Sequence, residues 1–257
     1  MPLLQIRNLH KHFGGLAAVH GLDVDVNQGE ILGLIGPNGA GKSTVLNMIG
    51  GTLLPTKGEI VFEGENITHC PAYRRAEKGI ARVFQRNVLF SSMTVLENLL
   101  AGSQLHHRNG IVEIFFKGAS ARHREKILYE KAMEILEFVG LGQLANELAT
   151  NLPHGNQRAL CLATALATRP KFLLLDEPLT GMNAEEIKAI IDMIKVLRDE
   201  ERITSIVVEH NMRAVMGLCD RLVVLDYGKK ICEGLPKKVV EDPLVIEAYL
   251  GADKDVI

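Results

Sequence analysis

The order of apolar and polar positions along the chain predicts a strand-rich first part followed by a helical segment. Short apolar or alternating runs, which are typical of strands, lie at Leu3 to Arg7, Leu22 to Val26, Ile31 to Ile35 and Glu59 to Phe62. From about Thr94 to Leu148 the spacing of apolar residues becomes helical. We therefore expect one domain over 1–257, with a core lobe at 1–85 and 159–257 and an inserted helical subdomain at about 86–158.

Strand patterns return in the second half of the chain and alternate with helical ones. Three buried runs lie at Phe172 to Leu175, Ser205 to Val208 and Arg221 to Leu225. The first two are separated by a helix whose apolar residues, from Ile187 to Leu197, keep helical spacing. Strands that alternate with helices predict an α/β fold with a mostly parallel sheet and helices on both faces.

Charge and composition argue against several classes of protein. The 257 residues carry a formal net charge of -2, which gives no overall field for nucleic acid or an anionic membrane. The four cysteines form no C-x-x-C pair and fit neither a disulfide framework nor a zinc site. With no apolar run near the ~20 residues that span a bilayer and no secretory signal, we expect a cytoplasmic chain that reaches a membrane only through a partner.

One local stretch departs from this balance of charge. Residues 105–126 are basic and surround an apolar cluster that contains Phe115 and Phe116. Two interpretations stay open: a helical hairpin that packs on its own subdomain with a solvated basic face, or a surface for a membrane partner or lipid headgroups.

The strongest motif is a glycine-rich segment between a strand and a helix. It fits G-x-x-x-x-G-K-[ST] at every fixed position, and the helix that follows is ended by Gly50 and Gly51. Glycines let the backbone wrap phosphate oxygens, Lys42 adds a positive charge, and the Ser43 hydroxyl can ligate Mg²⁺. The sequence therefore predicts a nucleoside triphosphate here, and the residues expected around it are Gly36, Pro37, Asn38, Gly39, Ala40, Gly41, Lys42, Ser43 and Thr44.

Two further strand ends carry candidate chemistry. The strand at 172–175 runs into Asp176 and Glu177, which places Asp176 near the metal and Glu177 near an attacking water. His210 follows the next strand and can hydrogen-bond a γ-phosphate. A solitary histidine is also often structural or exposed, so from the residues alone both readings of His210 remain open.

These motifs, in this order, resemble those of the ATP-binding cassette family over almost the whole chain. The segment 36–43 is similar to its Walker A, 172–177 to its Walker B with a catalytic glutamate, and His210 to its switch histidine. Gln85 resembles the Q-loop glutamine, which contacts Mg²⁺ and the water, and Phe13 lies where the family stacks a ring on adenine. A core aromatic at a strand end is the alternative for Phe13.

The resemblance also implies a fold. It is a P-loop NTPase, with a RecA-like, mostly parallel sheet, an N-terminal antiparallel β part and an inserted helical subdomain. Catalytic roles fall to Glu177, His210 and Gln85, and Mg²⁺ ligation to Ser43, Gln85 and Asp176.

The segment Leu152 to Arg158 resembles the family signature that reaches across a dimer to the partner's γ-phosphate. It departs from the pattern at Pro153, His154 and Asn156 and keeps Gly155. A helix that begins near Asn156 still points N–H groups and its dipole outward, so we expect a working variant. The family pattern has a serine at the position of Pro153, and His154 either replaces the hydroxyl donor of that serine or faces solvent.

A second departure lies at Asn183, where the family's D-loop carries aspartate. Asn183 followed by Glu186 is a good helix N-terminus, so capping alone explains the asparagine.

Phe13 to Val19 and the ending Val245 to Gly251 look like the ATP-binding subunit of bacterial branched-chain amino-acid importers. The resemblance implies two subunits, identical or a related pair, around two ATP and Mg²⁺, with a membrane permease docked on the helical subdomain. It implies a peripheral place on the cytoplasmic side of the bacterial inner membrane and no nucleic-acid partner.

Alternatives are a cassette for urea or amide uptake or for lipopolysaccharide export, and a low-turnover, nucleotide-gated regulatory module. A cassette for DNA repair or translation is disfavoured by the charge balance.

Overall fold

The computed structural model describes residues 2–84, 88–103 and 119–252. The strands in these ranges are β1 (Pro2–Phe13), β2 (Leu16–Asn27), β3 (Ile31–Ile35), β4 (Lys57–Phe62), β5 (Glu65–Asn66), β6 (Ile80–Val83), β7 (Phe172–Asp176), β8 (Thr204–Val208), β9 (Arg221–Asp226) and β10 (Lys229–Gly234). The α-helices are α1 (Lys42–Gly50), α2 (Ala72–Glu77), α3 (Val95–Ser103), α4 (Ala119–Phe138), α5 (His154–Ala167), α6 (Ala184–Asp199), α7 (Met212–Leu218), α8 (Pro236–Val239) and α9 (Pro243–Ala252). Short 3-10 turns lie at Gly142–Leu144 and Ala149–Asn151.

The strands form two sheets. One is antiparallel and has the order β2-β1-β4-β5. The other has the order β10-β9-β3-β8-β7-β6, in which all neighbours are parallel except β10, which runs antiparallel to β9 at one edge. Each strand segment predicted from the sequence lies within one of these strands, and the α/β class is confirmed.

Both faces of the parallel sheet are covered, and β3 shows how. Ile31 and Ile35 point to a core that includes residues of α5, α6 and α7. Leu32 and Leu34 point to a second core, shared with α1 and the antiparallel sheet. Successive side chains of a strand leave on opposite faces, so a strand buried on both faces reads as an unbroken apolar run.

The helical subdomain predicted at about 86–158 contains α3, α4 and both 3-10 turns, and α3 packs against α5. Residues 104–118, with Phe115 and Phe116, lie outside the described residues, so both interpretations of that cluster remain predictions. The helix α5 runs across the boundary placed at 158/159 and contacts both α3 and β6. The division into lobes therefore stays a prediction. No helix in the described ranges is long and apolar enough to cross a membrane.

The helix α6 confirms the amphipathic pattern predicted for it. Ile190, Ile194 and Leu197 are buried, and their spacing gives one apolar face. At its start the Asn183 side chain accepts hydrogen bonds from the Glu185 and Glu186 amides, each at 3.0 Å. The Glu186 carboxylate accepts from the Asn183 amide at 2.9 Å, which completes a capping box. Capping by Asn183 is therefore confirmed.

Candidate functional site

The segment 36–44 forms a tight loop between β3 and the start of α1. Gly36 (φ +145°) and Gly41 (φ +101°) both adopt backbone conformations that side chains disfavour. A β-carbon at Gly36 would lie 2.0 Å from the Leu225 carbonyl oxygen, and one at Gly41 would lie 2.4 Å from that of Ala18. Only glycine fits at these two points, and the free amides of the first turn of α1 face this loop.

Lys42 is buried at the base of this loop. Its Nζ donates to the carbonyl oxygens of Gly36 at 2.7 Å and of Pro37 at 2.8 Å. Burial lowers the pKa of Lys42, while the charges of Glu177 and Asp176 act in the opposite direction. The lysine and the two carboxylates therefore share one site, as the motifs predicted, and the Ser43 side chain next to Lys42 is exposed.

Asp176 ends β7 and has a cationic partner that the sequence analysis missed. Nη2 of Arg82, on the adjacent β6, donates to Oδ2 of Asp176 at 2.7 Å. Nη1 of Arg82 donates to Oδ1 of Asn47, on α1, at 2.6 Å. The guanidinium thus ties the carboxylate to the helix that follows the phosphate loop. The signal available from the sequence was a single arginine in a short apolar strand.

Glu177 lies one residue beyond the strand end and contacts His210. Its Oε1 is 3.0 Å from Nε2 of His210, and Thr180 Oγ1 donates to its Oε2 at 3.3 Å. The backbone of Glu177 has φ +50°, an uncommon conformation for a residue with a side chain, and its amide donates to the Val208 carbonyl at 2.9 Å. Such strain at a strand end is typical of functional sites.

Glu209 was not singled out from the sequence, yet its carboxylate is buried next to the pair of Glu177 and His210. It is 4% exposed, and its Oε1 accepts from the Leu179 amide at 2.7 Å. Burial raises the pKa of Glu209, and two backbone hydrogen bonds lower it in part. Glu209 ties the loop that follows Glu177 to the end of β8.

Phe13 lies at the end of β1 and is exposed over 49% of its surface, so the core-aromatic alternative is wrong. The Nζ of Lys11 lies 5.1 Å from the centre of its ring. An exposed ring with a cation on one face is suited to stacking on a planar base. Gln85 falls outside the described residues.

The signature-like segment differs from its prediction in one respect. The helix α5 begins at His154, not near Asn156, because Pro153 (φ -54°) already has the φ that a helix start requires and lacks an N–H to satisfy. His154 is exposed, with its ring close to Gly181, whose β-carbon would lie 3.1 Å from Cε1. Its role as a donor stays a prediction.

Gly155 is buried against the start of α6. A β-carbon there would lie 2.3 Å from Oε1 of Glu186, the residue that completes the capping box. The retained glycine therefore lets the signature-like turn contact the D-loop region of the same chain.

The C-terminal helix also reaches the phosphate loop. Burial raises the pKa of Tyr249, on α9, and a backbone hydrogen bond with Gly36 lowers it in part. In the sequence, Tyr249 lies in a segment that resembles the family, and no pattern there indicates that the residue reaches the phosphate loop.

The donors at this site fit the groups that the sequence predicts. A glycine loop with a buried lysine and a helix N-terminus is suited to phosphates. Asp176 and the exposed Ser43 hydroxyl are the oxygen ligands that Mg²⁺ prefers. The fold and the site together define a P-loop nucleotide-binding protein.

Comparison with known proteins gives the family. Residues 19–180 match the family described as ABC transporter, and residues 229–255 match the one described as branched-chain amino acid ATP-binding cassette transporter. The high-affinity branched-chain amino acid transport ATP-binding protein BraF of Pseudomonas aeruginosa is 40% identical over 97% of this chain and 98% of its own. The corresponding LivG of Escherichia coli is 39% identical over the same shares. The chain belongs to the ABC transporter family and is an ATP-binding cassette ATPase.

Solved structures of other ATP-binding cassettes support the same family assignment. The ADP conformation of MJ1267, an ATP-binding cassette of an ABC transporter, superposes with a TM-score of 0.85 at 34% identity, over 98% of this chain and 99% of that one. The dimeric structure of MJ0796, a bacterial ABC transporter cassette, gives a TM-score of 0.77 at 25% identity, over 91% and 98%. The predicted P-loop NTPase fold is confirmed.

Proposed function

We propose that two subunits of this kind bind two ATP and Mg²⁺ between them and hydrolyse ATP to drive a permease that imports branched-chain amino acids. The choice of solute is supported by the names of BraF and LivG and by the match over residues 229–255. The observation that carries the hydrolytic part is the 3.0 Å contact between Glu177 and His210 beside Asp176.

Each site residue then has a role. Lys42 and the amides of residues 36–44 hold the phosphates, with Ser43, Asp176 and Gln85 as Mg²⁺ ligands. Glu177 takes the proton of the attacking water as general base, and His210 orients Glu177 and donates to the γ-phosphate. Phe13 stacks on the adenine. When bound, Mg²⁺ neutralises charge on the phosphate oxygens.

The partner subunit completes each ATP site through its segment 153–156. A helix that begins at His154 offers amides without partners inside the helix, and these suit a γ-phosphate of the other subunit. The dimeric cassette MJ0796 supports this arrangement. Pro153, His154, Gly155 and Asn156 are therefore the residues of the second half-site.

The lobes and the location follow from this assignment. The segment 86–158 is the helical subdomain on which the permease docks, and 1–85 with 159–257 form the core lobe. The chain then lies peripherally on the cytoplasmic side of the bacterial inner membrane, touches the membrane through the permease and needs no nucleic acid.

The test of hydrolysis is the Glu177→Gln variant. Loss of the base lowers kcat by about 10²- to 10⁴-fold while ATP affinity is retained. Glu201→Gln, which removes an exposed carboxylate elsewhere, is the matched control and keeps the wild-type rate. A wild-type rate no greater than that of Glu177→Gln would instead support the low-turnover regulatory module.

The test of the solute is transport. The chain and its permease subunits, reconstituted in vesicles with ATP inside, are given external capture protein loaded with radiolabelled leucine or with urea. ATP-dependent uptake of leucine that vanishes with Glu177→Gln supports the proposal. Uptake of urea alone would reassign the substrate and leave the hydrolytic assignment in place.

A further inference from the structure

Three histidines lie together on the antiparallel sheet, and none of them is among the residues assigned to the nucleotide site above. One ring nitrogen from each of His10, His12 and His20 lies within 4.8 Å of the other two. His10 is partly buried, whereas His12 and His20 are exposed. No role in nucleotide binding or hydrolysis accounts for this histidine cluster.

The backbone explains why the three rings meet. His10 and His12 are two residues apart on β1, so they share one face of the sheet. Between the pairs Leu9–Leu22 and Lys11–Val19, two residues of β2, His20 and Gly21, oppose one residue of β1. Such a β-bulge re-aims the side chains of its strand.

The bulge brings the third ring to the other two. Gly21 has φ +64°, a conformation that suits the bulge. The His20 ring then meets the His10 ring edge-on with 5.0 Å between centroids, and the rings of His10 and His12 lie 6.3 Å apart and nearly parallel. Two histidines at alternate positions of one strand and a third on its neighbour can therefore converge on one point.

Backbone hydrogen bonds fix the three positions. The His10 carbonyl accepts from the Thr56 amide at 2.8 Å, and the His12 amide donates to Thr56 Oγ1 at 3.0 Å. The His20 amide donates to the Gly228 carbonyl at 2.8 Å. The strands therefore hold the three α-carbons in place, while the side chains of His12 and His20 are exposed to solvent.

We propose that His10, His12 and His20 bind one divalent transition-metal ion of the Zn²⁺ class, with the remaining position open to water. Imidazole nitrogens suit Zn²⁺, Cu²⁺ and Ni²⁺, whereas Mg²⁺ prefers oxygen ligands, so the ion is distinct from the one that accompanies ATP. Three histidines and an open fourth position form a known type of zinc coordination.

The present spacing is compatible with binding. Zinc lies about 2.0–2.1 Å from imidazole nitrogens, so the ligand atoms must lie closer together than 4.8 Å when the ion is bound, and the proposal requires the exposed His12 and His20 side chains to rotate. Asn8 Oδ1 lies 2.9 Å from Nε2 of His10. Binding of the ion through Nδ1 of His10 would leave Nε2 to donate to Asn8, the kind of outer hydrogen-bond acceptor that orients a metal-bound histidine.

The experiment uses the full chain without an affinity tag and free of nucleotide, since both chelate metal ions. Co²⁺ is titrated and followed by its visible absorption, and Zn²⁺ is titrated by calorimetry. We expect one ion per chain and a Co²⁺ spectrum without the charge-transfer band of thiolate ligands. His12→Gln and His20→Gln should each weaken binding more than 10-fold. Asn8→Ala should weaken it by roughly 10- to 100-fold.

His69→Gln is the matched control, because His69 is also exposed and lies outside the cluster. Circular dichroism and ATP binding confirm that each variant is folded. The proposal is overturned if wild-type protein binds no Co²⁺ or Zn²⁺ at micromolar concentrations, or if binding survives unchanged in His12→Gln and His20→Gln. A thiolate band with unchanged affinity in these variants would overturn it too, and would assign the ion to cysteines.

Discussion

Nε2 of His210 lies 3.0 Å from Oε1 of Glu177, a residue 33 positions earlier in the chain. The parallel pairing of β7 with β8 produces this contact, because Asp176 is opposite Val208 and each strand ends next to the other. The histidine holds one oxygen of the proposed general base. Orientation of Glu177 is thereby linked to the position of the loop that follows β8.

The first prediction concerns this contact. His210→Ala removes a positioned hydrogen-bond partner and should lower the rate of ATP hydrolysis by about 10²- to 10³-fold, with ATP affinity retained. The measurement is steady-state hydrolysis together with equilibrium binding of ATP. His69→Ala serves as control and should match wild type. A wild-type rate for His210→Ala would show that Glu177 works without this histidine.

A second prediction concerns the buried ion pair of Arg82 with Asp176, whose side chains are 11% and 9% exposed. Arg82→Ala leaves Asp176 buried without its cation and should reduce the free energy of unfolding by about 3–5 kcal/mol. Urea unfolding measures the change.

The control for that experiment is Arg74→Ala, which removes an exposed pair with Glu77. Exposed pairs contribute little, so this variant should unfold close to wild type. Equal losses of unfolding free energy in the two variants would mean that the buried ion pair stabilises the fold no more than the exposed one. The structural role given to Arg82 would then be wrong.

The third prediction is a pH dependence. Burial raises the pKa of Glu209 above its ordinary value of 4.5, so the folded protein binds this proton more tightly than the unfolded chain. As the pH rises from about 4.5 through the raised pKa, wild type should lose stability relative to Glu209→Gln, whose amide oxygen still accepts from Leu179. Unfolding free energies of both proteins at a series of pH values test this. A difference that stays constant with pH, or rises with it, would contradict the assignment.

A fourth prediction links the signature-like turn to the capping box. Asn183→Ala should cost about 0.5–2 kcal/mol of stability, whereas Asn183→Asp should cost little because aspartate caps equally well. Gly155→Ala should displace the Glu186 side chain and so break the same box. The two losses should therefore be less than additive in the double variant, as measured by thermal unfolding. Additive losses would show that the signature-like turn and the capping box do not affect each other.

The sequence predicted the parts of this fold that rest on local pattern. A buried strand that leads into a phosphate loop and a helix is predicted by two local features. They are the unbroken apolar run of β3 and the glycine spacing after it. The amphipathic spacing and cap of α6 were equally readable, because both depend on residues within a few positions of one another.

Contacts between distant segments could not be predicted in this way. The pair Arg82–Asp176 spans 94 positions, and only the strand order reveals that β6 lies beside β7. The start of α5 at His154 was missed because the helix was expected to begin near Asn156, although Pro153 suits the position just before a helix. Exposure of Phe13 likewise depends on what packs against the end of β1, an inner strand of its sheet, which alternation of residues does not specify.

In the proposed dimer, two chains complete each ATP site through the segment 153–156. The most direct measurement is light scattering after size exclusion of Glu177→Gln protein with ATP and Mg²⁺, beside the Lys42→Ala, Glu177→Gln double variant, which lacks the phosphate-binding lysine. We expect dimers that form only with ATP and only when Lys42 is present. Monomers that persist with ATP demonstrably bound would contradict it, since the segment that begins at Pro153 would then fail to hold the nucleotide of a second chain.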